Sequence, residues 1–207
     1  MANNFFNAVK PNISAEASAP TTIYTPSAIK AIAIELDAAN KSTAGVTITV
    51  SIEDNSANVS KGAVTLTAAT GTFADTGHGL VVGDRVIFAA TTMPNFKTGA
   101  LPPSGETALS ATRIYYVQSV SADGNSFFIA ETRGAGSAQL FNTAGNSITY
   151  IKKAIADVVR DAPIPVGGAL KVIAGQKLVL EASDKLYAHC SSANNVDVVA
   201  SVLAEVS

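Results

Sequence analysis

Along most of the chain apolar residues return at every second position, the repeat of a strand with one face buried. Val46, Ile48, Val50 and Ile52 alternate with Thr47, Thr49 and Ser51, which predicts a half-buried strand. Upstream, Ile32, Ile34 and Leu36 are expected to share a face. The polar stretch Asn40-Lys41-Ser42-Thr43-Ala44-Gly45 between the two fits a hairpin connection. The C-terminal third repeats the pattern. Ala169 to Ile173 reads as a short strand, Gly175 as a turn, and Leu178-Val179-Leu180-Glu181 as another strand closed by Ala182-Ser183-Asp184. Leu186, Ala188 and Cys190 then share one face, with Tyr187 and His189 on the other. After the turn pair Asn194-Asn195, Val196, Val198, Ala200, Val202 and Ala204 alternate with Asp197, Val199, Ser201 and Leu203. This last strand is apolar on much of both faces, which predicts a central position or a subunit contact.

The middle of the chain has another texture. His78-Gly79-Leu80, the run Val81 to Phe88, Arg113 to Val117, Ser126 to Ala130 and Ser137 to Phe141 are short and aromatic-rich, and turn glycines punctuate this part of the chain. A long segment, Thr91 to Ala108, holds Pro94, Pro102 and Pro103; loops of that length are usually functional or flexible. Aromatics concentrated in this way predict a small barrel with its own core. The outer pieces have too few strands to bury a face separately. The expected architecture is therefore all-β: a β-sandwich (jelly-roll or Ig-like) from residues 21–61 plus 151–207, an inserted β-barrel over 62–150, and an N-terminal arm over 1–20.

Composition narrows the function classes. Charged residues make up 14% of the 207 residues, against a usual quarter or so, and the net charge is −2. No clustered basic footprint exists for nucleic acid or anionic membrane, the only adjacent pair being Lys152-Lys153, so neither partner is expected. One cysteine, Cys190, allows no intrachain disulfide. Neither a signal peptide nor an apolar run of about 20 residues is present, so a soluble product made in a cytoplasm is expected.

Two stretches carry a resemblance. The frame Thr21-Thr22-Ile23-Tyr24-Thr25, Ile34 to Asn40, Val46 to Val50, Ile164-Pro165-Val166-Gly167-Gly168 through Ile173 and Lys177 to Leu186 is similar to small β-sandwich structural proteins of tailed bacteriophages. The inner stretch with His78-Gly79-Leu80, Val82-Gly83-Asp84-Arg85-Val86-Ile87-Phe88 and Tyr115-Tyr116-Val117 resembles a small barrel module of phage tail and fibre proteins. The resemblance implies a virion component that forms a homo-oligomer and docks on major capsid or neck and tail proteins. A capsid decoration (cement) subunit is the first expectation. A neck, collar, tail or fibre part, or a carbohydrate-binding adhesin, is the alternative. Trp is absent, so Tyr115, Tyr116 and Tyr187 would have to stack on sugar in an adhesin.

Chemical motifs are sparse, and the chain is expected to be non-enzymatic, without metal or cofactor. His78 and His189 fall in different predicted domains, and His189 and Cys190 point to opposite strand faces, so they make no nucleophile pair. His78, between two glycines, reads as a turn residue. Arg133-Gly134-Ala135-Gly136-Ser137 lacks the Lys-Ser/Thr ending of a phosphate loop and reads as a hairpin turn. Glu35, Asp37, Glu53, Asp54 and Asp184 follow no EF-hand spacing. The candidate interface residues are Phe5, Phe6, Val9 and Ile13 in the N-terminal arm, expected to reach a neighbouring subunit, since aromatic residues favour interfaces.

Overall fold

A computed structural model describes residues 4–27 and 29–206 and shows an all-β protein with three sheets. The chain divides into two compact units: one combines the chain up to Ala57 with the chain from Ala154 onward, and the other is Asn58–Lys153. In chain order the strands are β1 Asn4–Lys10, β2 Thr21–Tyr24, β3 Lys30–Asn40, β4 Val46–Glu53, β5 Val59–Thr67, β6 Thr72–Ala74, β7 Arg85–Ala89 and β8 Tyr115–Val120. They continue with β9 Ser126–Ala130, β10 Ile148–Lys153, β11 Ile155–Ile164, β12 Ala169–Ile173, β13 Leu178–Leu180, β14 Lys185–Cys190 and β15 Val196–Val206.

The first unit holds two antiparallel sheets. One runs β1-β15-β3-β12, with β13 also on β3; the other runs β11-β4-β14-β2. Both feed one core: Ala31, Ala33, Leu36 and Val198 from the first meet Ile48, Val50, Leu186 and Ala188 from the second, all fully buried. The strong alternation of β15 now has its cause. Val196, Val198, Ala200 and Val202 are fully buried on one face, and the strand is central, between β1 and β3.

The phase of β3 differs from expectation. Ile32 and Ile34 do not share a face with Leu36; Ala31 and Ala33 are the buried residues in their place. Ser201 lies opposite Glu35 but Val202 lies opposite Ala33, so Ile34 is an extra residue in the ladder. A bulge of this kind advances the side-chain alternation by one position. It turns Ile32 outward and puts two small alanines against the core.

The second unit closes six strands into a ring, β10-β5-β6-β9-β8-β7. Its core is aromatic: Phe73 stacks on Phe127 at 5.4 Å, meets Phe88 at 4.9 Å and sits edge-on to Phe141 at 5.7 Å. The ring begins before residue 62 and ends after 150, because Val59 pairs with Lys152 and both strands complete the closure. Val81 and Val82, expected to continue the Val81 to Phe88 run, instead form the turn ahead of β7 and are 62% and 66% exposed. Gly83 at φ +91° makes that turn possible. Ser137 to Leu140 forms no strand, so the Arg133-to-Ser137 turn is not a hairpin. Among the described residues no helix is long and apolar enough to cross a membrane.

Candidate functional site

The N-terminal segment is not a separate arm where it is described; its first three residues lie outside the described residues. Asn4–Lys10 pairs with β15 over seven consecutive positions, Phe5 opposite Leu203 and Val9 opposite Val199. The candidate interface residues consequently divide between two faces. Phe6 turns inward, packs on the core and meets Tyr24 edge-on at 5.7 Å. Ile13 is fully buried, and its backbone N–H donates to the carbonyl of Val196. Both are held in the chain's own interior: Phe6 because a strand paired to β15 must bury one of its faces, and Ile13, beyond the end of β1, on the core beside Val196. Phe5 and Val9 point the other way and are 62% and 57% exposed.

Phe5 and Val9 begin a surface that crosses the sheet. The registers align Phe5 with Leu203, Leu203 with Ile32, and Ile32 with Val179, an apolar row over four strands. Val179 is 55% exposed, and Leu203 and Ile32 are half-buried. A second row runs Val9, Val199, Asp37, Lys171 and ends in charge. There Lys171 reaches Glu35 at 2.6 Å, which holds the lysine above its ordinary pKa. The face thus has an apolar middle with a polar side, the arrangement found at protein contacts. Ile32 enters this row only because of the bulge at Ile34, a signal that pairing supplies and a single strand's alternation hides.

The long Thr91 to Ala108 segment is anchored to the ring. Phe96 is buried in the aromatic core and bridges to Phe141, while Thr92 bridges to Asn146 and Asn95 to Ala108. Glu131, 4% exposed, accepts the Ser104 N–H at 2.8 Å and pairs with Arg113, which also reaches Glu106 at 3.0 Å. Two recesses of about 330 and 310 Å³ flank the segment and share Leu101. Two of their polar side chains are engaged with the segment itself: Gln139 donates to Ala100 at 2.6 Å and Asn142 to Thr98 at 3.0 Å. These recesses follow from strapping the loop down and present no convergent set of ligand-facing groups.

Gly145 is the tightest point of that strap. It has φ +69°, and a Cβ there would lie 2.5 Å from the Thr92 carbonyl oxygen and 2.8 Å from Pro94. Gly145→Ala should cost about 2–5 kcal/mol, combining left-handed strain with backbone overlap. Hydrogen exchange should show the Thr92 and Asn146 amides losing protection first, and unchanged protection there would contradict this packing.

The residues considered for chemistry are dispersed. His78 is 2% exposed; its Nδ1 accepts the Leu80 N–H at 2.9 Å, which places the proton on Nε2, and the ring lies 5.3 Å from Phe127. Nε2 has no hydrogen-bond partner, and His78 lines neither recess. Cys190 is buried, with its thiol pushed up by burial, and Sγ lies 3.0 Å from the Ser192 carbonyl. Lys152 pairs with Asp84 at 2.7 Å. Glu53 is fully buried and accepts the Tyr187 hydroxyl at 2.6 Å. Asp184 accepts the backbone N–H of Asn55 and of Glu181. Asp54 accepts from Ser56 and Ala57, and the Ser56 hydroxyl above all holds it below the ordinary carboxylate range. These carboxylates cap turns and cross-brace strands. Among the described residues no three His, Cys, Asp or Glu side chains converge as a metal site requires. Tyr115, Tyr116 and Tyr187 are 1%, 4% and 9% exposed, so none presents a ring to solvent for stacking on sugar. No protein-family model, curated protein or solved structure matches the chain.

Proposed function

We propose that the chain is a non-enzymatic structural protein of a bacteriophage virion, a capsid decoration subunit assembled in the host cytoplasm. In this reading the two sheets of the first unit are a β-sandwich built from both chain ends, and the ring is an inserted β-barrel. The observation that carries the proposal is the apolar row Phe5, Leu203, Ile32 and Val179 on the outer face of the five-stranded sheet. At about 4.8 Å between strands, such a row presents a continuous strip rather than scattered single residues. Glu35, Asp37 and Lys171, charged residues of this face, lie to one side of the strip. The strip suits docking on a larger protein surface, where symmetry repeats one modest contact many times. The phage resemblance of the frame segments supplies the kind of particle.

The test is peptide mass spectrometry of gradient-purified virions from lysates of the host. Peptides of this chain should band with the capsid protein and resist a salt wash, since the contact is mostly apolar. Recovery only in the soluble fraction would overturn the virion assignment.

A further inference from the structure

The first unit has four sheet edges, and three of them carry devices that block further strand pairing. Exposed edges template association unless shortened, bulged, charged or interrupted by proline. The β12 and β13 edge is broken into strands of five and three residues, with a register shift at Lys171/Ile173. The β11 edge has two register shifts, a residue at φ +49° (Asp161), and Asp157, Arg160 and Pro163 along it. The β2 edge is four residues long, shifts register at Leu186/Tyr187, and lies between Pro20 and Pro26. The β1 edge carries such devices only at its C-terminal end, where Lys10 and Pro11 close it. Its seven residues, Asn-Phe-Phe-Asn-Ala-Val-Lys, run without a register shift, contain no proline, and carry a single charge at one end. Among the described residues no strand pairs with its second side.

We propose that β1 pairs antiparallel with β1 of a second copy of this chain, joining two five-stranded sheets across a twofold axis at Asn7. The sequence is self-complementary in that register. Phe5 faces Val9 of the second copy on the exposed side, and Phe6 faces Ala8 on the inner side, large against small. Asn7 faces itself, and Lys10 faces Asn4, so no like charges are opposed across the ladder. Pairing consumes both β1 edges, so association through this edge stops at two copies. The proposal deepens the assembly reading above by naming one partner, and it leaves the outer face available to other proteins.

Deleting the segment would be a poor test, because Phe6 and Ile13 belong to the core. Point changes at exposed positions separate edge pairing from folding. Native mass spectrometry of the full chain should give a species at twice 21.1 kDa. Phe5→Lys with Val9→Lys places lysines opposite one another and should weaken the dimer at least about tenfold, with unchanged circular dichroism. Phe5→Lys with Val9→Glu places opposite charges across the same pairs and should restore it. Oxidised Asn7→Cys should cross-link into a covalent dimer, since directly opposed strand residues lie about 4.5–5.5 Å apart, within disulfide reach. Asn4→Cys, far from its own mate in this register, should not, and Cys190 is buried. A monomeric wild type overturns the proposal, as does a dimer indifferent to the double lysine change. Equal loss with both charge pairs also overturns it, by assigning the contact to the sheet face. A chain that is monomeric in solution yet present in virions would remove the strand pairing and leave the virion assignment standing.

Discussion

Between pH 10 and 12 the ring will lose up to about 3 kcal/mol of stability per pH unit, and the first unit up to about 1.4. Three phenols are responsible. Tyr115 is 1% exposed, and burial pushes its pKa from 10.0 to about 12, although the Ser110 N–H opposes this slightly. Burial raises Tyr150 and Tyr187 as well, and each donates its proton to a carboxylate, Asp75 at 2.7 Å and Glu53 at 2.6 Å. The native state keeps all three neutral while the unfolded chain ionises them at 10.0, so their stabilisation is complete below that pH and is lost above it. Each contributes at most about 1.4 kcal/mol per pH unit in the window. Tyr115 and Tyr150 act on the ring and Tyr187 on the first unit, so over two pH units the ring loses up to about 5 kcal/mol, the low end of an ordinary domain's stability. Phenolate absorbance should therefore rise in step with loss of the β signal in circular dichroism. Replacing Tyr115 or Tyr150 with Phe should remove about half of the ring's slope, and Tyr187→Phe should flatten the first unit's. Phenolates that titrate near pH 10 in a still-folded protein would contradict the burial described.

Phe73→Ala will destabilise the ring by about 3–5 kcal/mol, the cost of a large cavity in a core that cannot collapse around it. Phe73 is fully buried on a three-residue strand and contacts Phe88, Phe127 and Phe141 within 5.7 Å. Few ladder hydrogen bonds hold β6, so packing of this side chain has to position it between β5 and β9. Denaturant titration measures the loss, and hydrogen exchange should place it in β6 and β9. Val82→Ala, at a position 66% exposed, should shift the midpoint by less than about 0.5 kcal/mol. A comparably small shift for Phe73→Ala would mean that the aromatic cluster is not the core of the ring.

How far each element was legible depended on its position in its sheet. Central strands write their environment as alternation: β15 was readable residue by residue, whereas in β4 the apolar face was legible but Thr49 and Ser51, expected on an open face, are 3% and 6% exposed. Edge strands do not write it this way. In β11 the two register shifts interrupt the period at Asp157 and Asp161, so a ten-residue strand leaves almost no pattern. In β1 the exposed side carries Phe5 and Val9, so both faces look apolar and the segment resembles an arm more than a strand. The candidate surface was half legible for the same reason. Phe5 and Val9 drew attention as exposed apolar residues near a terminus. Leu203, Ile32 and Val179 join them only through three registers and one bulge, which depend on partners more than a hundred residues away.

The insertion has a consequence for how the chain reaches this fold. The first unit is interrupted after Ala57 and resumes at Ala154, and the Asp54 N–H donates to the Ala154 carbonyl at 2.9 Å. Within the ring, the first and last strands are hydrogen-bonded neighbours, Val59 opposite Lys152. Closing a free loop of about a hundred residues costs roughly 4 kcal/mol of chain entropy. Once the ring has folded, that closure is already made, and the two ends of the interrupted host emerge one strand spacing apart. The ring is then a clasp that turns the pairing of β4 with β11, remote in sequence, into a short-range step in folding time.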